Sequence, residues 1–120
     1  MIKILIVEDN ELNRDMLSRR LARKGFEILL AEDGAEGLAE MKIHRPDLVL
    51  MDIGLPVMNG WDAITQAKSD EILNQIPIIA LTAHALEEDR MKAVEVGADD
   101  FDTKPVDLDR LLGKINRLIN

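Results

Sequence analysis

Apolar and polar positions along the chain alternate between two regimes. Short apolar runs at residues 2–7, 26–31, 48–51 and 76–81 are too brief for ordinary helices and rich in Ile, Leu and Val, which predicts buried strands. A fifth strand is predicted over Asp99–Thr103, the weakest of the set, with three acids and one aromatic. Between them, apolar residues recur every three or four positions. Asp9 or Asn10 caps the first predicted helix, whose stripe is Leu12, Met16, Leu17 and Leu21, and Gly25 stops it. Arg14, Arg19, Arg20 and Arg23 fall mostly on its other side. Asp33 and Glu36 have capping-box spacing ahead of a helix carrying Leu38, Met41 and Ile43, which must end before Pro46. A third helix is predicted from Trp61 to Ser69, with Ile64 and Ala67 inward. A fourth runs from Leu86 to Val96 with a thin stripe of Leu86, Met91 and Val94, and Gly97 stops it. The last runs from Asp107 to Ile119 on Leu108, Leu111, Leu112, Ile115 and Leu118. Strict alternation of strand and helix predicts a doubly wound α/β domain over residues 1–120, with a five-stranded parallel sheet covered on both faces.

If the strands are parallel, their carboxyl ends share one edge, where open α/β sheets place their chemistry. Four of those ends carry polar residues of complementary kinds: Glu8-Asp9, Asp52, Thr82 and Lys104. Three crowded carboxylates repel one another, and a divalent cation relieves that conflict. An all-oxygen site completed by water suits Mg2+. The expected ligands are Asp9, Asp52 and the Gly54 backbone carbonyl, with Glu8 acting through a metal-bound water. Asp52 is the expected phosphoryl acceptor, while Thr82 and Lys104 can donate hydrogen bonds to phosphoryl oxygens. Each feature alone is ordinary, because a single Asp after an apolar run is most often a cap or loop residue. Their joint occurrence in this order is not. Trp61 is taken as a packing residue, the methionines as core filler and His44 as exposed.

Composition narrows the field further. With 23 acidic residues against 15 Lys and Arg, the formal net charge is −8, which argues against direct nucleic-acid binding. The chain has no cysteine, so disulfide and thiolate chemistry are excluded. It shows no signal-peptide pattern and no membrane-length apolar run, so no membrane association and a cytoplasmic location are expected.

Val7-Glu8-Asp9-Asn10, Met51-Asp52 through Asn59-Gly60, Leu81-Thr82-Ala83 and Thr103-Lys104-Pro105 together resemble the receiver domains of bacterial two-component response regulators. The resemblance spans the whole chain, and stand-alone DivK-type members of the CheY-like superfamily are similar to it. Glu8 through Asn13 also resembles receivers attached to hybrid histidine kinases, so a domain excised from such a kinase remains an alternative. The resemblance implies a (βα)5 flavodoxin-like fold with strand order 2-1-3-4-5. It also implies phosphotransfer to Asp52 from a sensor histidine kinase or a histidine phosphotransfer protein. Glu8 and Asp9 match the family's acidic pair, Thr82 the switch hydroxyl, Lys104 the site lysine and Phe101 the switch aromatic. Phe101 stands where the family often has Tyr, which removes a hydroxyl from any output. A cis Lys104–Pro105 bond is implied too, as is an output face on the fourth helix, fifth strand and fifth helix. In relatives, side chains two residues beyond the acceptor and two beyond the switch residue flank the approach of water, which makes Gly54 and His84 the lifetime-tuning positions. The output is expected to be another protein, and a homodimer formed on phosphorylation stays open. Such a domain catalyses its own modification without being a free-standing enzyme. A metal-dependent phosphohydrolase is the competing class, but Gly54 stands where a general acid would be needed. A flavodoxin would need a phosphate loop after the first strand, where Glu8 and Asp9 would instead repel the flavin phosphate. A non-phosphorylated scaffold would not need the full set of site residues.

Overall fold

A computed structural model describes residues 1–84 and 86–119. Strands β1 (Lys3–Val7), β2 (Glu27–Ala31), β3 (Leu48–Asp52), β4 (Ile78–Thr82) and β5 (Asp100–Thr103) alternate with five helices. These are α1 (Glu11–Ala22), α2 (Gly34–His44), α3 (Gly60–Ser69), α4 (Glu87–Val96) and α5 (Leu108–Ile119). All four strand pairings are parallel, in the order β2-β1-β3-β4-β5. The doubly wound α/β class and the 2-1-3-4-5 order are therefore both observed.

Successive strand residues point to opposite faces, and the sequence fills both with apolar side chains. Leu5, Val7, Val49, Met51, Ile78 and Ala80 pack with Leu38 and Met41 of α2 and Ala63, Ile64 and Ala67 of α3. Ile4, Ile6, Leu48, Leu50, Ile79 and Leu81 pack with Leu17 and Leu21 of α1 and Leu111 and Ile115 of α5. Each fully buried Leu or Ile contributes about 1.5–3 kcal/mol of transfer free energy. The central strand β3 is buried from end to end, Asp52 included.

Helix starts follow the capping residues. Asn10, Asp33 and Asn59 each accept a hydrogen bond from a backbone N–H three residues on. Asp107 does the same for the first turn of α5, accepting from Arg110 N at 3.1 Å. The α2 helix stops at a left-handed Arg45, just before Pro46.

Several predicted core positions face solvent instead. Leu12, Met16, Ile43, Leu86, Met91 and Val94 are all exposed. The side chain α4 buries is the small Ala93. At about 100° per residue, Met91 lies roughly 200° and Val94 about 100° from it around the helix. The same geometry turns Ile43 away from Met41, and Leu12 and Met16 away from Leu17. Met41 and Met51 are core residues, but Met1, Met16 and Met91 are exposed, so only part of the methionine set fills the core. Arg14, predicted outward, folds back onto the end of β1 and is mostly buried.

The loop after β3 is threaded tightly. A Cβ at Gly34 would sit 2.3 Å from the Met58 carbonyl oxygen, and one at Gly60 would sit 2.3 Å from that of Asp52. Between these contacts Val57 adopts φ 65°, a left-handed conformation that a β-branched residue resists. Val57→Gly is expected to raise stability by about 1 kcal/mol, with the strain released outweighing the entropy glycine adds to the unfolded chain. Thermal unfolding checks this: a lower midpoint would show that the strain is not released.

Candidate functional site

The parallel register brings the strand ends together. Val7 pairs with Met51, Asp52 with Leu81, and Thr82 with Thr103, so the residues at or just beyond these positions share one rim. One ligand atom from each of Glu8, Asp9 and Asp52 lies within 4.8 Å of the others. Glu8 and Asp52 are buried and Asp9 is exposed. From the far side, Lys104 Nζ lies 2.8 Å from Glu8 Oε1 and 3.1 Å from Asp52 Oδ2. The Lys104–Pro105 bond is cis.

The charges are strongly interdependent. Burial pushes the Glu8 carboxyl above its ordinary 4.5, and the neighbouring Asp52 adds to the rise against the opposing pull of Lys104. Burial works to lower the Lys104 ammonium, but its contacts with Glu8 and Asp52 outweigh that and leave it raised above 10.5. One lysine therefore faces two buried acids with a third carboxylate beside them, an arrangement short of positive charge. A hard divalent cation fits that donor set. Both Glu8 oxygens are already engaged, Oε1 by Lys104 and Oε2 by Asn10 N at 3.2 Å. Asp52 Oδ2 is likewise engaged, by Lys104 at 3.1 Å, so hydrogen bonding does not separate Glu8 from Asp52 as a ligand. Asp52 Oδ1 accepts from Gly54 N at 3.2 Å, which ties the following loop to the carboxylate.

Thr82 shares the rim through its register with Thr103. It is buried; its hydroxyl oxygen accepts from His84 N at 3.2 Å, and its carbonyl accepts from Lys104 N at 2.8 Å. His84 is exposed, and nothing lies within 4 Å of a Cβ built at Gly54. Phe101 is half-buried against the core, with the Arg90 guanidinium 5.9 Å from its ring centroid.

The profile of the response regulator receiver domain matches residues 4–116. The chain belongs to that family. This receiver is 39% identical over 119 residues to Protein PilH of Pseudomonas aeruginosa, covering 99% of this chain and 98% of that one. It is 37% identical over 112 residues to the polar-differentiation response regulator DivK of Brucella anthropi, covering 93% and 91%. It also superposes, with a TM-score of 0.91 and 35% identity over 98% and 97% of the two chains, on the receiver domain of a Pseudomonas aeruginosa sensor histidine kinase. That structure holds a magnesium ion in its active-site cleft. Receiver-domain phosphorylation chemistry, self-catalysed rather than that of a free-standing enzyme, comes with family membership.

Two residues of this receiver's site region had no signal in the sequence. Arg14 Nη1 donates to the Glu8 carbonyl at 2.8 Å and its other nitrogen pairs with Glu32 at 3.3 Å, so it braces the acidic turn from behind. Arg110 reaches back from α5 to β5, donating to Asp102 Oδ1 at 2.8 Å. Arginines on an amphipathic helix read as solvent-facing until the neighbouring strand end is placed. No described helix is long and apolar enough to cross a membrane.

Proposed function

We propose that this single receiver domain, residues 1–120, takes a phosphoryl group on Asp52 from a phosphohistidine on a sensor histidine kinase or a histidine phosphotransfer protein. One observation carries the reading: a buried carboxylate at the end of the central strand is flanked by two more carboxylates and touched by one lysine. An Asp52 oxygen forms a bond to phosphorus as the phosphorus–nitrogen bond breaks, and the electron pair of that bond returns to the imidazole. The products are an acyl phosphate and a free histidine. Asp9, Asp52 and the Gly54 carbonyl would hold Mg2+, with Glu8 acting through a water, and the bound ion would supply positive charge against the phosphoryl oxygens. Lys104 donates a charged hydrogen bond to those oxygens and Thr82 a neutral one. A small phosphodonor with Mg2+ should add one acid-stable, base-labile phosphoryl group, and a chelator should prevent it. Uptake undiminished by chelation would contradict the metal assignment.

Exposed residues fit a protein-binding role. A groove of about 540 Å³, lined in part by Asn13, Met16, Arg20, Pro105 and Val106, opens beside Glu8 and Lys104 and suits a phosphodonor. The output face is α4-β5-α5, where Met91 and Val94 are exposed and Phe101 lies under Arg90. Thr82 moving towards the phosphoryl group would change the space open to Phe101 and so bias that face, for a downstream protein or a second copy of the chain.

Signal lifetime follows from Gly54 and His84. The space beside Gly54 is open, whereas the His84 side chain is exposed and free to turn away. Gly54→Arg is expected to slow loss of phosphate about threefold or more, and His84→Ala to change it less. Phosphate release from purified protein at fixed Mg2+ and pH decides the order; a larger effect of His84→Ala, or faster release with Gly54→Arg, reverses it.

A further inference from the structure

The strand that delivers Lys104 is the weakest in the molecule by sequence and lies at an edge of the sheet. Its outward main-chain groups are nevertheless all taken by side chains. Phe101 N donates to Asp100 Oδ1 at 2.7 Å, and the Phe101 carbonyl accepts from Lys114 Nζ. Thr103 N donates to Asp102 Oδ1 at 2.8 Å, and the Thr103 carbonyl accepts from Arg110 Nη2 at 3.3 Å. Arg110 Nε meanwhile donates to that same Asp102 oxygen at 2.8 Å. The Thr103–Lys104 peptide is thus gripped on both sides, its carbonyl by Arg110 and its N–H by the Thr82 carbonyl at 2.8 Å.

Asp102 is an expensive residue for its place. It pairs in register with Leu81, on the sheet face where Leu81, Leu111 and Ile115 form an apolar cluster, and it is 3% exposed. Its Oδ2 is buried with no hydrogen-bond partner among the described residues. The desolvation cost falls on Asp102, because Arg110 is 44% exposed and Lys114 Nζ is a more distant second partner at 3.7 Å; a carboxylate so placed rarely gains stability over an aliphatic side chain. The pair therefore needs a reason other than stability, and the reason lies two residues on, at Lys104.

We propose that Arg110, held by the buried Asp102, is a positioning residue for phosphoryl uptake: it fixes the Thr103–Lys104 peptide and so holds the Lys104 ammonium over Asp52. The inference rests on the assignment of Asp52 and Lys104 above. Arg110 touches neither the acceptor nor the phosphoryl group; it acts through Lys104 alone.

The test is a double-mutant cycle read as the initial rate of phosphorylation by phosphoramidate with Mg2+, normalised to folded protein. Arg110→Ala is expected to slow uptake about tenfold, less than the roughly hundredfold that a full 1 Å misplacement can cost, because Lys104 keeps its Thr82 carbonyl contact. In a Lys104→Ala background it should cause no further loss. Asp102→Leu removes the buried charge instead of stranding it, and should hold or raise the thermal midpoint while slowing uptake as Arg110→Ala does. A lower midpoint with an unchanged rate in both variants would make the clamp merely structural and overturn the proposal. Losses that multiply in the Lys104→Ala background would overturn it too. If Lys104→Ala is slow while Arg110→Ala and Asp102→Leu match wild type, only the clamp is wrong. If Lys104→Ala itself matches wild type, the site assignment fails and the clamp with it.

Discussion

Asp52→Asn is expected to abolish phosphoryl uptake, lowering it by at least about a thousandfold, because it removes the nucleophile and not merely a neighbour of it. The amide is nearly isosteric with the carboxylate, so the loop packing after β3 has no reason to change. The charge balance improves. In the wild type, burial and Asp52 together hold the Glu8 carboxyl above its ordinary value, and replacing Asp52 by a neutral side chain removes the second of these. Lys104 keeps Glu8 as a partner at 2.8 Å. The variant should therefore melt at or above the wild-type temperature while taking up no phosphate. That combination separates a lost nucleophile from a damaged fold. Uptake within a few-fold of wild type, measured by intact mass after incubation with phosphodonor and Mg2+, would remove Asp52 from its role.

Gly60→Ala should have the largest effect on stability of any single methyl addition near the site. The new Cβ would lie 2.3 Å from the Asp52 carbonyl oxygen and 2.7 Å from Ile53 Cα, both backbone atoms that cannot rotate aside. Asn59 caps α3 through Asp62 N at 3.0 Å, and Gly60 N donates to the Ile53 carbonyl at 3.0 Å, so moving Gly60 also breaks the bonds that start the helix. Overpacking of this kind costs about 1–3 kcal/mol, and the lost cap adds roughly 1 kcal/mol. A fall of about 10 °C in the thermal midpoint is expected. Because the strained atoms include the Asp52 main chain, phosphoryl uptake should fall as well. A variant as stable and as active as wild type would show that the loop is not fixed to the end of β3. Gly54→Ala is the matched control, since its Cβ would meet nothing within 4 Å.

The sheet was legible because its strands are apolar on both faces, and an uninterrupted run such as Leu48–Met51 admits few readings other than a covered strand. The caps were legible at Asn10 and Asp33 because these side chains bond within three residues of themselves. Strand order came from the family resemblance, since periodicity says nothing about which strands are neighbours. The inward face of α4 was misread, because Met91 and Val94 are larger and more apolar than Ala93, the residue the helix buries. Size and hydropathy mislead where a helix packs close through a small side chain. Within the site, Glu8, Asp9, Asp52 and Lys104 lie together and register sets Thr82 on the same rim, while the roles of these residues rest on the proposal above. What stayed hidden was the bracing. Arg14 and Arg110 act across a strand–helix contact on backbone atoms, and no local pattern marks a side chain whose partner is fixed only by the tertiary fold. Asp102 gave the same kind of silence: an acid in a weak edge strand reads as solvated until register sets it opposite Leu81.

The most direct measurement is to locate the phosphoryl group itself. The wild-type protein, phosphorylated in Mg2+ by a small donor and in parallel by a phosphohistidine protein, would be trapped by reductive cleavage of the acyl phosphate, and the modified residue read by tandem mass spectrometry. One modified residue, Asp52, is expected from both donors. Modification at Glu8 or Asp9, or a stable phosphate on His84, would contradict the assignment of Asp52 as the acceptor.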